Sequence, residues 1–455
     1  MKKFMILAAV AMLVGRASAA VRDTISLNAG WQFHLGELSG IEAVKNAKSE
    51  RVNLPHDFLI GQPWVEPDAS ERPDNSDAGS NVRSRLSPRG FKEMNVGWYR
   101  YVLTPKAEWK GRRVVLDFQG IMLVGDVWLN GKHIGKTDYG YLGFDTDISS
   151  MIKYDGDNEI IVKANTQQPN NSRWYTGGGL YRDVNLIVTD KKLYFPRHPL
   201  FIRTENNKKV KIQAEIACFN KVDNIPAEVK IYDANGEVVA QKKQNIVFNG
   251  KWRTREYELQ PIEIDNANLW SCESPYLYMA EVTLFDNQGN VVDQIREQFG
   301  VRTIEFSPDF GFKLNGKKVL LKGYANHHTL GALGAAAYPR AIEKRIQLMK
   351  SFGYNHIRTS HNPYSEDFMR LCDRYGILVV DELYDKWLTQ YAGGRVEWEA
   401  LWQRDVPEWV KRDRNHPCVV LWSLGNELQQ YPNLPFNDWG VTAYKLQREL
   451  LHRYD

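Results

Sequence analysis

The sequence predicts a multidomain β plus α/β chain: a jelly-roll β-sandwich, an immunoglobulin-like β-sandwich, then the first half of a TIM (β/α)8 barrel. Three observations carry that expectation. Short alternating segments bounded by Gly, Asn and Asp turns fill the chain up to about Ile304. Beyond it the pattern changes to strands alternating with helices. Near the end, an apolar strand runs into a carboxylate, Val419-Val420-Leu421-Trp422-Ser423-Leu424-Gly425-Asn426-Glu427. Continuous apolar strands belong to parallel sheets covered on both faces, and in strand–helix barrels chemistry sits where such strands end.

Residues 1–20 read as a secretory signal peptide. Lys2 and Lys3 form the charged start, Phe4 to Val14 the apolar stretch, and Ala17-Ser18-Ala19 the small-residue cleavage site. The apolar run is too short to span a bilayer. The expected location is therefore secreted or periplasmic, with no membrane insertion.

Residues 21–190 form the expected jelly roll. Arg113-Val114-Val115-Leu116-Asp117-Phe118 reads as a strand, and Leu129-Asn130-Gly131-Lys132 as a hairpin, because Asn-Gly accepts positive φ at both central turn positions. Asp68 to Pro88, rich in Ser, Asp, Asn and Pro, reads as a long loop. Residues 191–303 form the expected immunoglobulin-like sandwich. Val210 to Ile216 and Ala227 to Tyr232 alternate, and Asp233-Ala234-Asn235-Gly236 turns the chain. Residues 304–455 form the expected partial barrel. Strands are read at Val319–Gly323, Tyr354–Arg358, Ile377–Asp381 and Val419–Leu424, with helices at Arg340–Phe352, Glu366–Tyr375, Trp398–Arg412 and Trp439–Leu450. Four such units fit an open sheet or half of an eight-unit barrel; no glycine-rich phosphate loop follows the first strand, which favours the barrel.

Composition bounds the function. Of 455 residues, 43% are hydrophobic and 12% aromatic, enough for several cores. Fourteen Trp and 22 Tyr suit sugar rings, and equally serve as core filler in large β-proteins. The formal net charge is +4, and Lys2, Lys3 and Arg16 account for all but +1 of it. Nothing electrostatic therefore points to nucleic acid or a membrane surface. Cys218, Cys272, Cys372 and Cys418 lie far apart, which excludes a CxxC metal site and favours free buried thiols.

Polar groups close each strand of the third part: Asn326-His327-His328, then Arg358-Thr359-Ser360-His361-Asn362-Pro363, then Asp381-Glu382, then Asn426-Glu427. Tips of parallel barrel strands converge on one pocket. The adjacent His327 and His328 point to opposite faces, and no His-x-x-x-His lies on a helix, which argues against a metal centre. Ser360 lacks the nucleophile-elbow pattern. Glycoside cleavage fits: it needs one protonated and one ionised carboxyl group, with His, Asn and Arg to hold hydroxyls and separate the two pKa values.

The chain resembles glycoside hydrolase family 2, the β-galactosidases, β-glucuronidases and β-mannosidases. Leu54-Pro55-His56-Asp57, Gly97-Trp98-Tyr99-Arg100 and Trp174 to Val184 are similar to that family's sugar-binding jelly roll; Ile357 to Pro363, Leu371 to Gly376 and Arg412 to Glu427 are similar to its barrel signatures. The resemblance implies Glu427 as general acid/base and Asn426 on the sugar 2-hydroxyl. It places Arg358 beneath the nucleophile and His327 and His361 against the sugar, with Asp381 also on the substrate side or, alternatively, in a bracing salt bridge with Arg358. Magnesium-dependent members carry Glu and His where this chain has Asp385-Lys386-Trp387-Leu388, so no metal or other cofactor is expected. The family's second glutamate follows a later strand, whereas 28 residues follow Glu427 here, and Glu449 lies on a helix. The reading is thus an exported retaining β-glycosidase, most like a β-galactosidase, truncated before its nucleophile. Its expected partners are a carbohydrate substrate and either an oligomer or a complementing C-terminal fragment. The alternatives are an inactive carbohydrate-binding or interaction fragment, or a β-glucuronidase or β-mannosidase of the same family.

Overall fold

The computed structural model describes residues 21–66, 90–167, 174–220, 222–248, 253–387, 396, 398–428, 436 and 438–455. The segment read as a signal peptide and the loop expected over Asp68–Pro88 lie outside the described residues.

Two antiparallel sheets make the first sandwich. One runs Asp23–Ser26, Val184–Thr189, Arg113–Phe118, Phe144–Asp147; the other has six strands, with Val96–Leu103 and Asn158–Asn165 at its centre. Alternation decides which side chains face inward. Val114, Leu116 and Phe118 meet Tyr99, Val127, Ile160 and Val162 in one core. The Asn130-Gly131 hairpin forms with both φ values positive, 50° and 83°, and joins Val124–Leu129 to Lys132–Thr137. The second sandwich repeats the principle. Val210, Ile212, Ala214 and Ile216 pack inward while Lys211, Gln213 and Glu215 stay at the surface side. All four cysteines are buried free thiols.

A three-stranded hairpin unit, Ile304–Ser307, Gly311–Leu314 and Lys317–Lys318, leads into the third part. Four parallel strands then lie in sequential order: Gly323–Asn326, His356–Thr359, Leu378–Glu382 and Val419–Ser423. Helices Pro339–Ser351, Glu366–Tyr375, Trp398–Asp413 and Val441–Leu451 follow them in turn. The second helix shows why its ends are sharp. Ser365 accepts the Phe368 N–H at its start, Glu366 and Asp367 suit the positive end of the helix dipole, and Gly376 closes it at φ 67°.

Several element boundaries differ from expectation, and two of the shifts have a visible cause. The apolar run Val319–Lys322 is not a strand: Val319 N–H donates to Phe312 O, and the Asn355 side-chain amide accepts from Lys322 N–H and donates to Leu320 O. The ladder therefore starts at Gly323. The last helix begins at Val441 because Trp439 and Gly440 both have positive φ, 58° and 79°.

Candidate active site

The strand ends converge. Arg358, at the end of the second strand, donates through Nε (3.0 Å) and Nη2 (2.5 Å) to Glu382 Oε2 at the end of the third. His361 Nδ1 donates to Glu382 Oε1 at 2.5 Å, and Ser423 Oγ from the fourth strand reaches Oε2 at 2.5 Å. Glu382 is wholly buried, and these charge-assisted bonds are what make its burial tolerable. Arg358 Nη2 also donates to Asn426 Oδ1 at 3.0 Å, and Asn426 Nδ2 donates to Asp385 Oδ1 at 3.0 Å. Both ends of the Asn426 amide are thus fixed, which leaves one Nδ2 hydrogen and one Oδ1 lone pair for a further partner.

Glu427 follows at φ 50°, left-handed backbone that a non-glycine residue adopts only where its surroundings hold it. Its Oε2 lies 3.2 Å from the Lys386 ammonium, and its side chain keeps 42% exposure. A carboxylate that is anchored through one oxygen and still partly exposed can exchange a proton with a ligand.

The first sandwich supplies one wall. Trp174 stacks on His327 with ring centroids 4.6 Å apart and planes 17° apart, and meets His361 edge-on at 5.4 Å. His327 Nδ1 donates to Ser360 O at 2.8 Å, which sets Nε2 as the acceptor of the neutral ring. The wall is clamped to the barrel. Arg182 Nη2 donates to Pro363 O (2.8 Å), Tyr139 O–H to Leu383 O, and Ala337 N–H to Tyr181 O (2.9 Å). Asp57 is a hub between the two parts: it accepts from Leu59 N, Gly178 N, Tyr175 O–H and Ala335 N at 2.7–2.9 Å. Burial pushes its carboxyl pKa up, against those four bonds.

Of the residues expected from sequence, Glu427, Asn426, Arg358, His361 and His327 belong to this connected group. Asp381 does not. It is wholly buried and accepts from Trp409 Nε1 (2.6 Å) and Thr359 Oγ1 (3.2 Å), between the sheet and the third helix. Burial, then the Asp413 charge, push its pKa well above the ordinary range. Adjacent strand residues face opposite sides, so Glu382, not Asp381, points with Arg358 and Ser423. The expected Arg358–Asp381 brace is accordingly an Arg358–Glu382 pair. Glu382 was expected at a pocket-facing strand tip but given no role, and Trp174 and Lys386 were not foreseen as site residues. Trp174 opens the Trp-Tyr-Thr-Gly-Gly-Gly run, where glycine lets the chain approach closely: a Cβ on Gly177 would stand 2.3 Å from that of Ala335. Among the described residues no group of three His, Cys, Asp or Glu is placed to hold a metal ion, and no helix is long and apolar enough to cross a membrane.

Two sandwiches thus lead into parallel strands whose tips bring together an Asn-Glu pair, an arginine and two histidines. Comparison with known proteins agrees. Residues 91–181 match the glycosyl hydrolase 2 galactose-binding domain-like model, 198–302 the glycosyl hydrolases family 2 model, and 308–437 the TIM barrel domain model of that family. β-Galactosidase BoGH2A of Bacteroides ovatus is 31% identical over 429 residues, which are 90% of this chain and 47% of that protein. A β-glucuronidase of Bacteroides fragilis is 28% identical, covering 91% of this chain and 58% of that one. The crystal structure of a family 2 glycosyl hydrolase from Bacteroides cellulosilyticus superposes with a TM-score of 0.81 at 32% identity, over 95% of this chain and 56% of that one. The chain belongs to glycoside hydrolase family 2. It spans about half the length of the curated relatives it matches.

Proposed function

We propose that this polypeptide carries the acid/base half of a retaining β-glycosidase active site that releases terminal β-linked sugars. The observation that supports it is the placement of Glu427, tied through Oε2 to Lys386 and partly exposed, in one bonded network with Asn426, Arg358, Glu382 and His361. In the proposed cycle Glu427 protonates the leaving oxygen while a second carboxylate attacks the anomeric carbon; Glu427 then takes a proton from water, which releases the sugar with retained configuration. Asn426 and the two histidines hold hydroxyl groups, and Trp174 shields one side of the ring. We assign no residue of this chain to the nucleophile; a further barrel strand, in the same or a second polypeptide, would present it.

β-Galactoside is the preferred substrate class. Relatives named for galactosides and for glucuronides match at similar identity, so paired nitrophenyl β-galactoside and β-glucuronide assays decide between them. In protein carrying a complete barrel, Glu427→Ala should slow turnover on the order of 10²- to 10⁴-fold. Azide, entering where the carboxyl was, should restore it as a β-glycosyl azide. Unchanged turnover in Glu427→Ala sinks the assignment. The chain ending at Asp455 should be inactive alone, and robust turnover by it would overturn the need for another strand. We also propose export, on the pattern of Lys2, Lys3, Phe4–Val14 and Ala17-Ser18-Ala19; N-terminal sequencing of secreted material should find cleavage near Ala19.

A further inference from the structure

Lys386 lies four residues beyond the end of the third strand, and its side chain is completely buried. Lysine is almost never buried in full unless paired. The oxygens around this ammonium include Asn426 O at 2.7 Å, Asp385 Oδ1 at 3.1 Å and Glu427 Oε2 at 3.2 Å. Two of them belong to the Asn426-Glu427 pair. The bond to Asn426 O holds the peptide leading into Glu427, whose φ of 50° requires such support. A second tie, Asn426 N–H to Asp385 O at 2.9 Å, fixes the same turn from the other side. The bond to Oε2 then sets the rotation of the carboxyl group itself.

We propose that Lys386 is a positioning residue for Glu427: its ammonium holds both the carboxylate, by Oε2, and the Asn426 carbonyl that leads into it. The inference rests on Glu427 being the acid/base. The proton leaves the Glu427 carboxyl group for the departing sugar oxygen in the first step and returns to it from water in the second. A neutral donor would fix the geometry equally well. A cation adds a preference for the ionised carboxylate, which favours the second step, where Glu427 acts as a base. Asp385, 3.1 Å from the ammonium, tempers that preference. Arg358, Glu382 and His361 reach Glu427 through the Asn426 amide.

The test needs no turnover. In the chain labelled with ¹³C at the glutamate carboxyl carbons, Glu427→Gln identifies the Glu427 signal. The pH midpoint of that signal should rise by about one pH unit or more in Lys386→Met, and Lys386→Arg should restore most of the difference. Should Lys386→Met fail to fold, Lys386→Gln removes the charge while keeping an N–H donor, and gives the same reading. An unmoved midpoint overturns the proposal and leaves the acid/base assignment to the Glu427→Ala assay. A moved midpoint beside full activity in Glu427→Ala overturns that assignment, and this proposal with it.

Discussion

His328 packs its ring among Tyr141, Tyr181 and Tyr364, and burial, helped by the Arg182 and His327 charges, lowers its pKa to about 3. The unfolded chain takes up that proton near pH 6.5. Between those values the unfolded state binds more protons than the folded one, so the stability His328 confers is complete above about pH 6.5 and drains away as the pH falls toward 3. Replacing it with Asn should flatten the rise of unfolding free energy between pH 4 and pH 6 by about 1.4 kcal/mol per pH unit, read from urea titrations at several pH values. An equal slope in both proteins means the folded ring accepts the proton. Sequence showed that His327 and His328 must diverge, since neighbours on a strand face opposite sides. The same rule applies to Asp381 and Glu382, but alternation alone does not say which of two adjacent acids faces inward. That is settled by Trp409 and Thr359 on one side and Arg358, His361 and Ser423 on the other, contacts far apart in the chain.

The elements that hold the site are loops, and the Asp57 hub ties them together. Its carboxylate gathers three backbone N–H groups and one hydroxyl from both the sandwich and the barrel. Gly334 lies against it, at φ 64°, where a Cβ would come within 2.2 Å of Oδ2. Asp57→Ala strands several buried donors at once, each costing roughly 1–3 kcal/mol. A loss of about 3 kcal/mol or more in chemical unfolding is expected, and a loss below 1 kcal/mol would mean that water replaces the carboxylate. Helices were the most legible elements, because a 3.6-residue apolar period is local: Ile342, Ile346 and Met349 reach the core as their spacing implies, whereas Phe352, expected on the same face, falls past the end of the helix and is exposed. The first barrel strand was displaced because Val319-Leu320-Leu321 looks apolar enough for a sheet, while Leu320 is in fact 71% exposed. The clamp between Trp174–Arg182 and the barrel had a visible motif but no visible destination, since glycines announce close approach without naming the surface approached.

At the scale of the molecule, the parallel sheet is open. Among the described residues, the first and fourth strands each pair on one side only. Exposed apolar side chains mark both borders: Tyr324 on the first strand, with Tyr354 against it and Leu320 just before it, and Leu421 on the fourth. A barrel abolishes such edges by closing, whereas an open edge offers unpaired N–H and C=O groups to any other strand. Residues 21–455 expressed alone should therefore self-associate as concentration rises, and a polypeptide supplying the remaining strands should compete for the same borders. Sedimentation velocity reads both effects. Charge placed on the borders, as in Leu421→Lys with Leu320→Lys, should shift the distribution toward monomer without altering the sandwich cores. Particles that stay monomeric at every concentration, before and after those substitutions, would mean the borders are covered by the chain itself, and the demand for additional strands would fall away.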